Sequence, residues 1–370
     1  MNNRPVLIFS AICSVALAGL AAYLHYAGTR TDGARAQIAS AAVHTKTSGR
    51  EPATTAPQEP PSAAATGTRL SKAPLIYFRH NGVDSHYGNV AYVDSANVAD
   101  VHFVDSLQCE VVHVSGGRGI CLSADRGVFT TYTASLFDTT TFQVSTKLPL
   151  KGIPSRSRMS ADGSLAALTV FVSGHGYTAL DFSTQTLLID VASGEIIGDL
   201  EAFAVTRNGA PIKSADFNFW GVTFTPDGKH FYATLSTAGR HYLIRGNIQG
   251  RSAEVIHENV ECPSLSPDAR RVAYKKRFIV DNRIVWQLHV LDLATHIETA
   301  LAEKRSIDDQ LEWLGDREVL YSVPSEEGAG ASTDVWITSI DAGTPPALYI
   351  RNAYSPATAR NLDAAVVSGS

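Results

Sequence analysis

The chain has 370 residues, of which 44% are apolar and 18% charged, and its formal net charge at pH 7 is −5. This length and apolar fraction suffice for one large domain or two medium domains with a buried core. The mildly acidic balance and the lack of a basic tract argue against nucleic acid as the main partner, because phosphate binding needs clustered Lys and Arg.

Residues 1–27 are predicted to be either a signal peptide or an uncleaved signal anchor. They are apolar from Val6 to about Tyr26 without a charged residue, and about twenty apolar residues can span a bilayer as a helix. The triplet Ala-Leu-Ala at residues 16–18 resembles a signal-peptidase site and favours cleavage. The apolar run beyond that triplet favours an anchor. Both alternatives export the segment that follows.

Residues 28–72 are rich in Ala, Thr, Ser and Pro and have almost no large apolar side chains. Such a segment cannot bury enough surface to offset the entropy that it would lose on ordering. We therefore expect a disordered linker between the N-terminal helix and the folded domain.

From Leu75 onward, short apolar runs with period-two alternation are separated by Gly, Pro, Asp, Asn and Ser. This pattern is typical of many short β-strands. Several stretches also resemble one another: SADG at 160–163, TPDG at 225–228, SPDA at 266–269, LGD at 314–316 and SGG at 115–117.

The spacing of these stretches predicts the number of repeats. With Gly117, Asp162, Asp227, Asp268 and Asp316 as markers, the intervals are 45, 65, 41 and 48 residues. All but one are near the length of a four-stranded propeller blade. The long interval indicates an insertion around residues 206–218, or a degenerate seventh blade.

The ends of the domain, residues 73–358, complete each other. The first repeat lacks its innermost strand, and the near-terminal AYSPAT at residues 353–358 supplies one with no blade after it. Pairing the two closes a ring and removes an exposed sheet edge. The sequence therefore predicts an all-β, six-bladed propeller, with seven blades as the alternative, and a short tail at residues 359–370.

The corners SADG, TPDG and SPDA, each followed by an apolar strand and a later strand that ends in Asp, resemble the TolB-like (WD-like) β-propeller repeats of bacterial envelope proteins. The resemblance covers about residues 74–358. It implies the fold far more specifically than the function, because the N-terminal α/β domain of TolB is not recognisable in this sequence.

The repeated acidic residues are interpreted as structural turns and not as a site. Pro fixes φ at the second turn position, Asp tolerates the third, and Gly supplies the positive φ that the hairpin needs. We expect Asp268, which Ala269 follows, to lie in a less favourable corner. The predicted turn residues are Asp162, Gly163, Pro226, Asp227, Gly228, Pro267, Asp268 and Asp316.

Three cysteines follow the N-terminal segment. Cys109 leads into the first strand of its blade and Cys121 lies on the second, so the pair flanks one hairpin corner. In an oxidising compartment this placement predicts a disulfide. Cys262 is interpreted as a buried free thiol.

Propeller ligands usually bind on the face opposite these corners, where the loops surround the central channel. The loops that map to this face are rich in His, Asp, Tyr and Trp, and aromatic side chains beside polar groups are typical of recognition surfaces. The candidate contact residues are His80, Asp84, His86, His175, Tyr177, Asp216, Trp220, Glu261, Asp308 and Asp309.

The functional prediction is a non-enzymatic, extracytoplasmic binding or scaffold module of the bacterial cell envelope, monomeric and either membrane-tethered or secreted. Its expected partner is a protein, a peptide or an envelope component. No catalytic residue, metal ligand or cofactor is predicted. The alternative is a propeller enzyme of the lactonase, lyase or glycosidase type with a metal or carboxylates at the channel mouth.

Overall fold

The computed structural model describes residues 73–173, 182–326, 332–341 and 343–359. They form six sheets, five with four strands and one with six, and the only described helix is a single 3₁₀ turn at Leu200–Ala202. The inner strands contact one another in chain order around a ring. The predicted all-β propeller with six blades is therefore confirmed, and the seven-bladed alternative is wrong.

Strands are numbered β1–β26 along the chain. Blade 1 has, from the channel outward, β26 (Ala353–Thr358), β1 (Leu75–His80), β2 (Asn89–Asp94) and β3 (Asn97–Gln108). Blade 2 has β4 (Val111–Ser115), β5 (Arg118–Arg126), β6 (Thr130–Asp138) and β7 (Val144–Leu150). Blade 3 has β8 (Ile153–Met159), β9 (Leu165–Ser173), β10 (Ser183–Asp190) and β11 (Ile196–Asp199).

Blade 4 has β14 (Asn218–Phe224), β15 (His230–Thr237), β16 (Arg240–Asn247) and β17 (Ser252–Glu258). Blade 5 has β18 (Glu261–Leu265), β19 (Arg271–Val280), β20 (Arg283–Asp292) and β21 (Glu298–Ala300). Blade 6 has β22 (Glu312–Leu314), β23 (Glu318–Pro324), β24 (Thr333–Ser339) and β25 (Ala347–Ile350).

The long repeat interval is an insertion in blade 4. Strands β12 (Ala204–Arg207) and β13 (Ala210–Ile212) form a hairpin, and β12 pairs in parallel with β17 at the outer edge of the sheet. The inserted residues extend an existing blade to six strands. They lengthen the repeat without adding a blade.

The ring closes by strand pairing between the two ends of the described domain. Strand β26 pairs antiparallel with β1, with Tyr77 opposite Ala357 and His80 opposite Ala353. The amide of Ala359 donates to the carbonyl of Leu75 at 2.8 Å. Both ends of the described domain therefore leave from the same face of the ring.

Apolar side chains are buried mainly between blades. Six clusters each join two neighbouring blades; in one of them Ile120 and Leu122 of blade 2 pack with Leu168 and Val170 of blade 3. Because each inner strand is covered on both sides, β4 and β18 are buried at every residue. The outer strand β7 is instead partly or fully exposed along its length.

The membrane and linker predictions fall on residues 1–72, which lie outside the described residues. Within the described part, no helix has the length and apolar character needed to cross a membrane.

Candidate functional site

The ring has two faces, which we name by their loops. The corner face carries the hairpins that join the first and second strands of each blade. The channel face carries the hairpins between the second and third strands and the loops that enter each blade from the one before. The channel runs between them, lined by the inner strands.

The predicted corners are held by one repeated set of hydrogen bonds. The Asp227 carboxylate accepts from the Thr225 hydroxyl at 2.5 Å and from the Lys229 amide at 3.0 Å. Asp162 and Asp268 accept the equivalent bonds in their own corners. These contacts use the carboxylates within the turns, as a structural role requires.

Two neighbouring corners also contact each other. The Asp316 carboxylate accepts from the amide of Asp268 at 3.0 Å, so blade 6 caps the corner of blade 5. The repeated acidic residues are therefore not all isolated from one another. Their contacts still serve the backbone.

A charged network crosses the channel near the corner face. Arg158 of blade 3 pairs with Glu312 of blade 6 and donates to the carbonyl of Leu311 at 2.7 Å. The Met159 amide donates to His113 Nδ1 at 3.1 Å, which leaves Nε2 directed toward Glu312 at 3.5 Å. These side chains line a cavity of about 180 Å³. This network could not be predicted from the sequence, because Arg158 and Glu312 are 154 residues apart in the chain.

A second charged network lies toward the channel face. Lys275 of β19 is completely buried, pairs with Asp308, and lies 4.6 Å above the Trp286 ring. Arg156 of blade 3 approaches the same Asp308 carboxylate at 3.5 Å. We call Arg156, Lys275 and Asp308 the channel cluster, because it links three blades across the channel.

Burial and charge act in opposite directions on the channel cluster. Burial by itself lowers the pKa of Lys275, but Cys262, Asp308 and Glu261 outweigh it and raise that pKa above its ordinary value. Burial raises the pKa of Asp308, while Lys275 and Arg156 bring it below its ordinary value. Both groups are therefore charged at neutral pH.

Asp309, next in the chain, behaves differently. Its carboxylate is buried and accepts from the Ser322 amide at 2.8 Å. Burial raises the pKa of Asp309, and the Arg156 charge only partly opposes the rise. The Tyr354 hydroxyl of blade 1 is affected by the same carboxyl group. Burial and the charge of Asp309 raise the pKa of Tyr354 to about 12.

Glu261 connects the channel to the gap between blades 4 and 5. It is fully buried, accepts from Trp286 Nε1 at 3.0 Å, and lies 3.8 Å from His241 Nδ1. Burial lowers the pKa of His241; Glu261 opposes this shift and Arg277 adds to it. A neutral His241 can then accept from Arg277 through Nε2, at 3.3 Å.

The remaining candidate residues do not form one site. His80 contacts Asp84 at 2.9 Å, and His86 stacks on Phe103 at 4.1 Å between ring centroids. Trp220 is buried against Phe182. His175 and Tyr177 lie outside the described residues.

The Asp216 carboxylate stabilises a turn of the protein itself. It accepts from the Thr237 hydroxyl at 2.6 Å and from the Ala238 amide at 2.7 Å, which holds the turn between β15 and β16. Hydrogen bonds from Ser214 and Thr237 lower the pKa of Asp216 to about 2. The carboxylate is therefore already engaged within the protein.

Exposed apolar side chains concentrate on the channel face. Of the ten large apolar residues that are exposed in the described part of the chain, seven lie in or beside the hairpins of this face: Val83, Tyr87, Val128, Phe129, Val172, Ile279 and Val280. The other three, Val144, Ile196 and Ile297, lie on or beside outer strands. Sequence reasoning missed this set, because an apolar residue in a strand pattern is ordinarily assigned to the core.

Two of these hairpins project beyond the inner strands. Strand β5 continues to Arg126, four residues past Leu122, which pairs with Val111. Strand β19 continues to Val280, five residues past Lys275, which pairs with Glu261. At ~3.3 Å per residue the projections are ~13 and ~17 Å.

Blades 2 and 5 are three places apart in a ring of six, so their hairpins stand on opposite sides of the channel. Each hairpin exposes apolar side chains near its tip, with Phe129 84% and Ile279 74% exposed. The two hairpins therefore border the channel face from opposite sides, and each exposes apolar side chains there.

The predicted disulfide is present. Cys109 and Cys121 are bonded, with their Cα atoms 5.4 Å apart. Cys262 is buried and free, as expected from the sequence. Within the described residues, no three His, Cys, Asp or Glu side chains are grouped so that they could hold a metal ion.

Solved structures resemble this chain at low sequence identity. TolB from Acinetobacter baumannii superposes with a TM-score of 0.55 and 17% identity, over 77% of this chain and 66% of that chain. The fold is that of a TolB-like propeller. The chain thus spans about two thirds of the length of that TolB.

Two further solved structures are similar to this chain. The structure of a nidogen/laminin complex has a TM-score of 0.54 and 8% identity, over 78% of this chain and 99% of that chain. A putative TolB from Agrobacterium tumefaciens has a TM-score of 0.43 and 11% identity, over 75% and 82%. No family model and no curated protein matches the chain. The likeness concerns the fold alone.

Proposed function

We propose that this chain is an extracytoplasmic binding module that holds a polypeptide partner across its channel face. The observation that carries the proposal is the concentration of exposed apolar side chains on the hairpins of that face. Exposed apolar residues rimmed by polar groups are typical of protein interaction surfaces. A glycan would instead call for a surface dominated by polar groups and flat aromatic rings.

The disulfide indicates the compartment, and the positions of the chain ends indicate which face of the ring they leave free. The bond between Cys109 and Cys121 favours an oxidising compartment such as the bacterial periplasm or the cell surface. Leu75 and Ala359, which mark the two ends of the described domain, meet on the corner face. The channel face therefore carries neither end of the described domain.

Site-specific cross-linking in cells tests this proposal. A photo-cross-linking amino acid replaces Phe129 or Ile279 on the channel face, and Ile196 or Ile297 serves as the matched exposed apolar control. We expect the same partner to be captured from both channel-face positions and not from the controls. Equal capture from the controls, or different partners at the two hairpins, would overturn the proposal.

The second candidate is an enzyme whose active site lies in the channel. The observation that favours it is Asp309, a buried carboxyl with a raised pKa beside the charged Arg156. Perturbed carboxyls in clefts are candidate proton donors. The test is hydrolysis or lyase turnover of lactone, polyuronide and glycoside substrates by the full-length chain. Turnover that Asp309→Asn abolishes would favour this function.

A further inference from the structure

A groove between blades 4 and 5 on the channel face is lined by two arginine side chains that could bind acidic groups. It has a volume of about 320 Å³, near the lower end of the range for ligand pockets. Its walls are the β15–β16 turn, the loop that enters blade 5, and the projecting part of β19. They contribute Gly239, Arg240, His241, Glu258, Asn259, Arg277 and Ile279.

Two guanidinium groups in this groove have no carboxylate partner. Among the described residues, no ion pair within 4.0 Å involves Arg240 or Arg277. The one carboxylate of the lining, Glu258, is paired with Arg207. Among the residues that line the groove, two guanidinium groups therefore stand against one carboxylate that is already paired, in a chain whose net charge is −5.

The geometry of the groove is set before any ligand arrives. The Asn259 side chain makes two hydrogen bonds to the backbone of Arg277. Its Nδ2 donates to the Arg277 carbonyl at 3.0 Å, and its Oδ1 accepts from the Arg277 amide at 3.2 Å. Asp216 fixes the turn that precedes Arg240 through Thr237 and Ala238. A preformed site loses less conformational entropy on binding than a mobile one.

His241 holds the Arg277 guanidinium without neutralising it. The His241 ring is buried, and its lowered pKa keeps it neutral at neutral pH. Its Nε2 accepts from Arg277 at 3.3 Å, so the guanidinium is oriented but keeps its full charge and its other donors. This arrangement leaves Arg277 able to bind a carboxylate with two parallel hydrogen bonds.

We propose that this groove binds the side-chain carboxylate of Asp or Glu in an extended segment of the partner polypeptide. Ile279, exposed at the edge of the groove, offers an apolar contact for the residue next to the acidic one. The inference rests on the proposed function, since it assigns a subsite on the same face. The described C-terminal strand ends on the opposite face, which favours a separate polypeptide over the tail of this chain.

Binding of a labelled model peptide to the full-length chain tests the subsite. The probe is rhodamine-labelled Val-Glu-Val-Glu-Val amide, followed by fluorescence anisotropy. Loss of a hydrogen bond to a charged group costs ~1.5–3 kcal/mol, or ~10- to 150-fold in affinity. We expect Arg277→Gln to weaken binding by at least ~10-fold and Arg240→Gln to weaken it measurably.

Matched variants separate the subsite from general charge and folding effects. Arg270→Gln removes the same charge from the corner face of blade 5 and should leave the affinity unchanged. Arg277→Lys keeps the charge but not the paired donors, and should bind with intermediate affinity. An affinity that falls equally in Arg270→Gln and Arg277→Gln would overturn the subsite.

Two further peptides decide the source of the carboxylate. The Gln-containing amide should not bind, and the Gln-containing peptide with a free C-terminus should bind no better. If that free C-terminus restores binding, or if millimolar phosphate displaces the acidic peptide completely, the assignment to an acidic side chain is wrong. Cross-linking at Phe129 and Ile279 is measured independently, so the subsite can fail while the proposed binding face stands.

Discussion

The residue that directly follows the repeated Asp has a left-handed backbone in three of the corners, and this conformation penalises any residue other than Gly. The residue at this position has φ of 73° at Gly163, 64° at Gly228 and 56° at Ala269, so all three are left-handed. A side chain with a Cβ costs ~1–2 kcal/mol in this conformation. Ala269 therefore carries a backbone strain that its equivalents avoid, as expected from the sequence.

Replacing Ala269 by Gly should raise the free energy of unfolding. Relief of the left-handed strain contributes ~1–2 kcal/mol, and the greater freedom of Gly in the unfolded chain removes ~0.4–1 kcal/mol. The expected net gain is ~0.5–1 kcal/mol. The reverse change, Gly228→Ala, should lose a similar amount, because a Cβ there would meet no atom within 4 Å.

Gly163→Ala provides a steric comparison in the same geometry. A Cβ at Gly163 would lie 2.7 Å from the carbonyl oxygen of Ser115, which belongs to the neighbouring blade. This substitution should therefore cost clearly more than Gly228→Ala. Urea unfolding of the full-length variants, followed by circular dichroism, measures all three differences.

The expected outcome is contradicted if Ala269→Gly leaves the free energy of unfolding unchanged or lowers it while Gly228→Ala costs nothing. That result would mean that the left-handed backbone at these corners is not what selects Gly. Equal losses for Gly163→Ala and Gly228→Ala would show that the close approach to Ser115 relaxes without cost.

Three more predictions concern a buried carboxyl group, the disulfide and one corner Asp. Burial raises the pKa of Asp309, so the stability that this carboxyl contributes is present below its unfolded pKa of ~3.9 and is lost as pH rises through the folded value. Asp309→Asn should therefore gain stability relative to the parent chain between pH 4 and pH 7 in urea titrations; a constant difference would contradict the shift. Replacing both Cys109 and Cys121 by Ser should lower the free energy of unfolding by ~2–3 kcal/mol, and dithiothreitol should abolish the difference between the two chains. Asp227→Ala should cost ~1 kcal/mol through lost turn bonds and leave both cross-linking and peptide affinity unchanged, because it lies on the corner face.

The repeat pattern predicted the blades because each blade depends mainly on local chain geometry. The Thr225-to-Gly228 corner forms from bonds between residues at most five apart, and its sequence signature is correspondingly compact. The disulfide was predictable for the same reason, since Cys109 and Cys121 flank a single hairpin. Strand alternation then located the remaining strands.

The candidate site was predictable only in part. Asp308 was predicted as an acidic residue of the channel face, but its ion-pair partners Lys275 and Arg156 come from other blades and are distant in sequence. A Lys in the buried strand pattern of β19 was a signal that could have been used, because Lys is rarely buried unless it is paired. Trp220 and Glu261 were predicted to contact a ligand or partner, and the structure buries both side chains.

The sequence by itself determined the β-class, the number of blades, the corners and the disulfide, because turn chemistry and strand alternation act over a few residues. Only the tertiary structure decided which charges meet in the channel, which guanidinium groups stay without a carboxylate, and which apolar residues remain exposed. Those properties depend on how blades far apart in the chain pack around the ring. Arg277 and Ile279 illustrate this, because their surroundings come largely from blade 4 and the loop after it.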